Sequence, residues 1–243
     1  NTILYVQPYG IQVKGQLLNS SISANGIDAA TGQAGIKLYA SPARRPERNK
    51  ISFNSISGGP TGITLEGVEF LDTQNVTQVT RPFENEIFGN LLGPEVAIGI
   101  NELFGQSNKI FANIVQSGLV GIQSNSSLGE PVFTHISLNN VTRADTGISI
   151  SGPAKGSITG NAIGGANKGV WVNLTQGETV NVRYNNRIHV RSGGTGIQVD
   201  GATKVLLNGN DIWSDDLASL SPVPLSDQLL DQRMRGRPGW QGV

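Results

Sequence analysis

Residues 186–193 read Asn-Arg-Ile-His-Val-Arg-Ser-Gly, and three of them could act on an acidic substrate. If Ile188 and Val190 point into a core, alternation along a strand leaves Arg187, His189 and Arg191 on the outer side. Such a cationic row fits a carboxylated or sulfated glycan. An arginine that neutralises a uronate lowers the pKa of the neighbouring carbon acid, and a histidine beside it can take the proton, which is what β-elimination demands. His189, Arg187 and Arg191 are therefore the catalytic candidates, against the plainer reading of a solvated strand face.

Three further residues are candidates for holding substrate. Trp171 stands between Val170 and Val172 in the run Lys168 to Asn173, so it points outward while they point in. Its counterparts in the neighbouring repeats are Ser149 and Gln198, which leaves the ring uncovered as a sugar-stacking platform; the competing reading is a ring packed under a loop or partner chain. Asp200 closes the run Gly-Ile-Gln-Val-Asp where other repeats carry Asn173 and Ser151, with Glu66 and Lys14 at like places near the other end. Arg183 completes the set. Asp215 and Asp216 are adjacent at the end of the repeat, but glycoside hydrolysis needs two carboxylates separated across a cleft by roughly 5 to 9.5 Å, which adjacency does not supply. With only His135 and His189, a multi-histidine metal site is not expected.

These side chains need a scaffold that puts equivalent positions side by side, and the chain has one. A Gly followed by Ile or Val recurs at Gly10, Gly35, Gly62, Gly99, Gly121, Gly147, Gly169 and Gly196, at intervals of 25, 27, 37, 22, 26, 22 and 27 residues. A second register consists of Asn preceded three positions earlier by an aliphatic residue, at Asn54, Asn90, Asn113, Asn139, Asn161, Asn185 and Asn210. Both registers lengthen at the same place. Short strands with alternate residues inward, one set per repeat, predict a parallel β-solenoid in which each coil buries its apolar side only by stacking on its neighbours. Glycine at the corners would allow positive φ, and Asn at a fixed corner would bond through its amide to the coils above and below.

From Gly10 to Trp213 this pattern resembles the right-handed parallel β-helix of the pectate-lyase-like superfamily, with repeats like those of NosD-like periplasmic proteins and phage tailspikes. The resemblance implies an all-β fold: a single-stranded right-handed parallel β-helix of about eight coils over 1–213, with a C-terminal capping segment over 214–243. It also implies a polysaccharide partner, and it is the sole reason to consider Ca2+; no other cofactor is expected. The family's specific signatures are missing. There is no Asp-Pro-His-Glu run, the polygalacturonase motifs are absent apart from the isolated Asp215-Asp216 pair, and the calcium-binding carboxylate cluster of pectate lyases has no clear counterpart.

Composition agrees with turns and small polar residues rather than salt bridges: 32 Gly among 243 residues, 15% charged residues, and 18 basic against 18 acidic side chains. Zero net charge gives no global pull toward nucleic acid or an anionic membrane, and no apolar run is long enough for membrane insertion. The absence of cysteine removes disulfides and thiolate metal sites and suits an exported protein. Two stretches break the repeat. Tyr39 to Lys50 brings Arg44, Arg45, Arg48 and Lys50 close together, either as a solvated loop or as a site for an acidic polysaccharide, and Gly67 to Asn85 accounts for the long interval. After Trp213 two prolines precede Ser226, a helix-cap candidate ahead of Leu229 and Leu230, in a segment suited to covering the end of the stack.

The expectation is an extracellular, cell-surface or periplasmic protein that binds an acidic polysaccharide and could cleave it by β-elimination. The alternative is a noncatalytic structural or adhesive shaft, with homo-oligomerisation open. One charged groove with insertions at its rim favours the first; outward apolar rows on two or more faces favour the second.

Overall fold

The structure is a computed structural model that describes residues 2–3, 8–29, 32–126, 132–175, 179–201 and 204–215. It is a parallel β-solenoid of about 8 turns. The Gly-Ile strands form the first face, from Tyr9–Lys14, Ala34–Tyr39 and Thr61–Glu66 through to the strand ending at Asp200. The second face stacks Ser21–Ser23, Lys50–Ser52, Glu86–Phe88, Gln106–Phe111, Val132–Ser137, Ala154–Thr159, Thr179–Arg183 and Lys204–Asn208. A narrower third face runs from Gly26–Asp28 to Ile212–Ser214. Long strands such as Leu91–Leu103 and Ala162–Asn173 bend from the third face into the first, and the register shifts at the bend.

The core is a set of columns along the solenoid axis. On the second face Ile51, Ile87, Ile110, Ile136 and Ile158 lie in register and are fully buried. On the first face Ile36, Ile63, Ile100, Ile122, Ile148 and Val170 do the same. Each side chain meets its equivalents above and below, so the aliphatic area of one coil is removed from water by the next.

The Asn register forms the expected ladder and begins one coil earlier, at Asn25. Each Asn side-chain oxygen accepts the backbone N–H and the Nδ2 of the preceding ladder residue, as Asn139 does from Asn113 at 3.0 Å for both bonds. The same Nδ2 also donates to a backbone carbonyl one coil below, Asn113 to Ile87 at 3.0 Å. One amide thus satisfies groups from two turns that burial would otherwise leave unpaired.

The glycine expectation holds at the Asn corners and needs correcting at the Gly-Ile positions. None of the Gly-Ile glycines has a positive φ. A Cβ on Gly147 would lie 2.5 Å from Ile163 Cγ2 and 2.6 Å from the Gly169 carbonyl oxygen, so glycine is required there by close approach. The left-handed conformation falls on the residue before each ladder Asn, which is a glycine at Gly89, Gly160 and Gly209 with φ of 60° to 67° and a side-chain-bearing residue elsewhere, including Phe53, Ala112, Leu138 and Tyr184 with φ between 53° and 57°. That conformation costs a non-glycine residue roughly 1–2 kcal/mol, which the hydrogen bonds of the following Asn offset.

The two irregular stretches meet. Val68–Leu71 and Thr77–Thr80 form an antiparallel hairpin, and Thr80 Oγ1 donates to the Pro42 carbonyl at 2.9 Å. Among the described residues no helix is long and apolar enough to cross a membrane. The anticipated cap lies outside the described residues beyond Asp215, as do Ser226 and Asp216.

Candidate functional site

The six residues singled out from sequence are distributed over three faces. Ile188 and Val190 are buried, so His189 and Arg191 do point outward on the strand that leads from the third face into the first. Arg187 sits in the corner ahead of that strand with φ of 73°. Arg183 ends a second-face strand, while Trp171 and Asp200 occupy the first face. Two members of the row meet carboxylates: His189 Nε2 lies 2.8 Å from Asp215 Oδ1, and Arg191 donates to Asp145 Oδ1 at 3.2 Å.

Trp171 has the neighbours expected of it, Ser149 on one side and Gln198 on the other. Its ring, however, is half-buried and covered. Lys168 Nζ stands 4.6 Å from the ring centroid, and the indole N–H donates to Asp200 Oδ2 at 2.6 Å, an oxygen that also accepts from Gln198 Nε2 at 2.8 Å. A cation over the face and a carboxylate at the edge hold the ring as part of the wall. Asp200 is thereby drawn to Trp171, and these two are the members of the set that the fold brings into contact.

A different cluster makes a recess. A cleft of about 440 Å³ on the second face is lined by Arg48, Asn49, Lys50, Glu84, Glu86, Ser107, Lys109 and His135. It forms because strands of successive coils place Lys50, Glu86, Lys109 and His135 directly in register, with side chains outward from the buried Ile51, Ile87, Ile110 and Ile136. The interstrand spacing of about 4.8 Å then sets the rise from one charged group to the next. Both irregular stretches run straight into it, one ending at Lys50 and the other just before Glu86.

Its electrostatics are mixed. Arg48 donates to Glu84 at 2.8 Å and Lys109 to Glu86 at 3.2 Å, whereas Lys50 has no carboxylate within ion-pair distance among the described residues. Pairs this exposed are weakly held and open to exchange with an incoming anion. His135 Nδ1 lies 2.9 Å from Ser157 Oγ, and the Phe133 ring packs edge-on at 4.9 Å between centroids. Burial, and secondarily the Lys109 charge, lower its pKa, so the imidazole is neutral near pH 7 and available as an acceptor or base.

Sequence reasoning weighed Arg48 and Lys50 as a site for an acidic polysaccharide but did not connect them to Lys109 and His135. The signal was present in the spacing. Asn49, Asn85 and Asn108 are 36 and 23 residues apart, matching Asn54, Asn90 and Asn113, and Lys50, Glu86 and Lys109 each follow one of the first three. Among the described residues no group of three or more His, Asp or Glu could hold a metal ion.

No family model, curated protein or solved structure matches this chain.

Proposed function

We propose that the protein is a saccharide-recognition solenoid that takes an anionic polysaccharide along its second face, in the cleft between Arg48 and His135. The observation that carries this reading is the register of Lys50, Glu86, Lys109 and His135 on successive coils, in one recess entered by both insertions. An extended chain lying along the solenoid axis meets a polar group at each coil. Its carboxylates or sulfates would go to Lys50 and Lys109, and to Arg48 in exchange for Glu84. Such a ligand places the protein outside the cytoplasm, at the cell surface or in the periplasm, and accords with the resemblance to the right-handed pectate-lyase-like β-helices.

Cleavage is the extension of the same reading. If β-elimination occurs, the neutral imidazole of His135 is better situated to take the proton than His189, which is engaged by Asp215. The second reading, a noncatalytic shaft, draws on the exposed Phe53, Leu91, Ile114, Leu138 and Tyr184 near the corner between the second and third faces. These residues follow one edge of the solenoid, whereas subunit packing around a shaft calls for apolar rows on several faces.

The test is an array of uronate-containing and sulfated polysaccharides scored for binding and for unsaturated-product absorbance in the same wells. Binding that falls in Lys50→Ala/Lys109→Ala supports the cleft. Product that disappears in His135→Gln adds catalysis, and no binding to any member of the array favours the shaft.

A further inference from the structure

Among the described residues two charged side chains are buried, Arg81 and, completely, Glu102. Glu102 is fully buried in a first-face column that otherwise points Leu38 and Leu65 into the core below it. Its carboxyl accepts from Asn108 Nδ2 at 2.7 Å and bonds to Ser124 Oγ at 2.7 Å and to Thr134 Oγ1. No cation pairs with it among the described residues. Gly105 packs so closely that a Cβ there would overlap the carboxyl.

The position explains why an acid is there. A second, inner Asn ladder runs Asn49 to Asn85 to Asn108, each Nδ2 donating to the next Oδ1 at 2.9 and 3.1 Å. In the following coil the equivalent position is Thr134, whose side chain has no amide oxygen to continue the pattern. Glu102 Oε1 supplies the missing acceptor for Asn108.

We infer that Glu102 is a protonated terminator of the inner ladder and that its ionisation is a pH-sensitive weak point at the middle of the solenoid. As a neutral acid it accepts from Asn108 through one oxygen and donates its own proton to Ser124 or Thr134 through the other, so every polar group in the cluster is paired. As a carboxylate it would carry an uncompensated charge in the core. The groups facing it are the Asn108 amide, the Ser124 and Thr134 hydroxyls and the apolar Leu65. The titratable side chains beside these residues project outward: Glu66, next to Leu65, pairs with Lys37 at 2.7 Å, and Lys109 and His135 stand on the outer side of the second face. Burial accordingly pushes its pKa up.

The sign follows from linkage. An acid whose folded-state pKa lies above its unfolded value of about 4.3 gives its full stability below that unfolded value. The contribution is lost as pH rises toward and through the folded-state value. The test compares chemical-denaturation stability across pH for the wild type and Glu102→Gln, whose amide keeps the shape of the carboxyl without ionising. The wild type is expected to lose stability over that window, with the loss absent in Glu102→Gln; equal pH slopes would overturn the inference. Should the variant fold poorly, carbon-detected NMR titration of the Glu102 carboxyl in the wild-type protein decides. A midpoint above the ordinary glutamate range supports the inference, and one at or below it overturns it.

Discussion

Coils two to four and coils six to eight have the same outer frame and differ at one interior column. In the N-terminal half the position two residues before each second-face core aliphatic is Asn49, Asn85 and Asn108; in the C-terminal half it is Gly156, Val180 and Val205. The polar half carries the inner ladder, both insertions and the cleft. The apolar half is a plainer stack, and its outward His189 and Arg191 already have carboxylate partners. The difference shows what the inner ladder contributes: it satisfies backbone groups at an additional corner, and that corner lets the chain turn out into loops and return in register beside Lys50 and Glu86.

The largest effect expected from breaking this contrast is at Asn108. Asn108→Val would leave the Asn85 backbone N–H without an acceptor, cost Asn85 Nδ2 one of its two bonds, and leave Glu102 Oε1 without its donor. At about 1–3 kcal/mol for each orphaned group, the loss should exceed ~3 kcal/mol in denaturant unfolding. The reciprocal change, Val180→Asn, puts an amide between Gly156 and Val205 with no ladder to join, and should cost about 2 kcal/mol or more by the same measurement. A smaller cost for Val180→Asn than for an exposed substitution would show that the C-terminal half can accept a ladder after all. Lys50→Ala should leave stability within ~0.5 kcal/mol while weakening polysaccharide binding, which separates the face's ligand role from its structural one.

Much of this frame could be read in the chain. Two registers stepping together predict stacked coils, and alternation correctly places Ile188, Val190, Val170 and Val172 inward and sets Ser149 and Gln198 beside Trp171. The physical reason for the Gly-Ile glycines was not legible: a residue type tolerates both positive φ and close approach, and distance to the next coil decides between them. The covering of Trp171 was hidden for a related reason, since Lys168 and Asp200 reach it along and across strands through side-chain conformation that spacing does not encode. The cleft was half legible. Arg48 and Lys50 stood out as a local run of charge, but Lys109 and His135 join them only through register, and an aliphatic residue three positions before each Asn was too narrow a criterion to find the inner ladder that sets it.

The most direct measurement is the affinity of the wild-type protein for a polyuronate at fixed ionic strength, beside Lys50→Glu/Lys109→Glu in the cleft and Arg187→Ala/Arg191→Ala at the other candidate row. The account predicts that the cleft variant loses roughly tenfold or more in affinity, about 1.4 kcal/mol, while the second variant binds like the wild type. Loss in the second variant with the cleft variant unaffected would contradict it and return the site to the residues around His189.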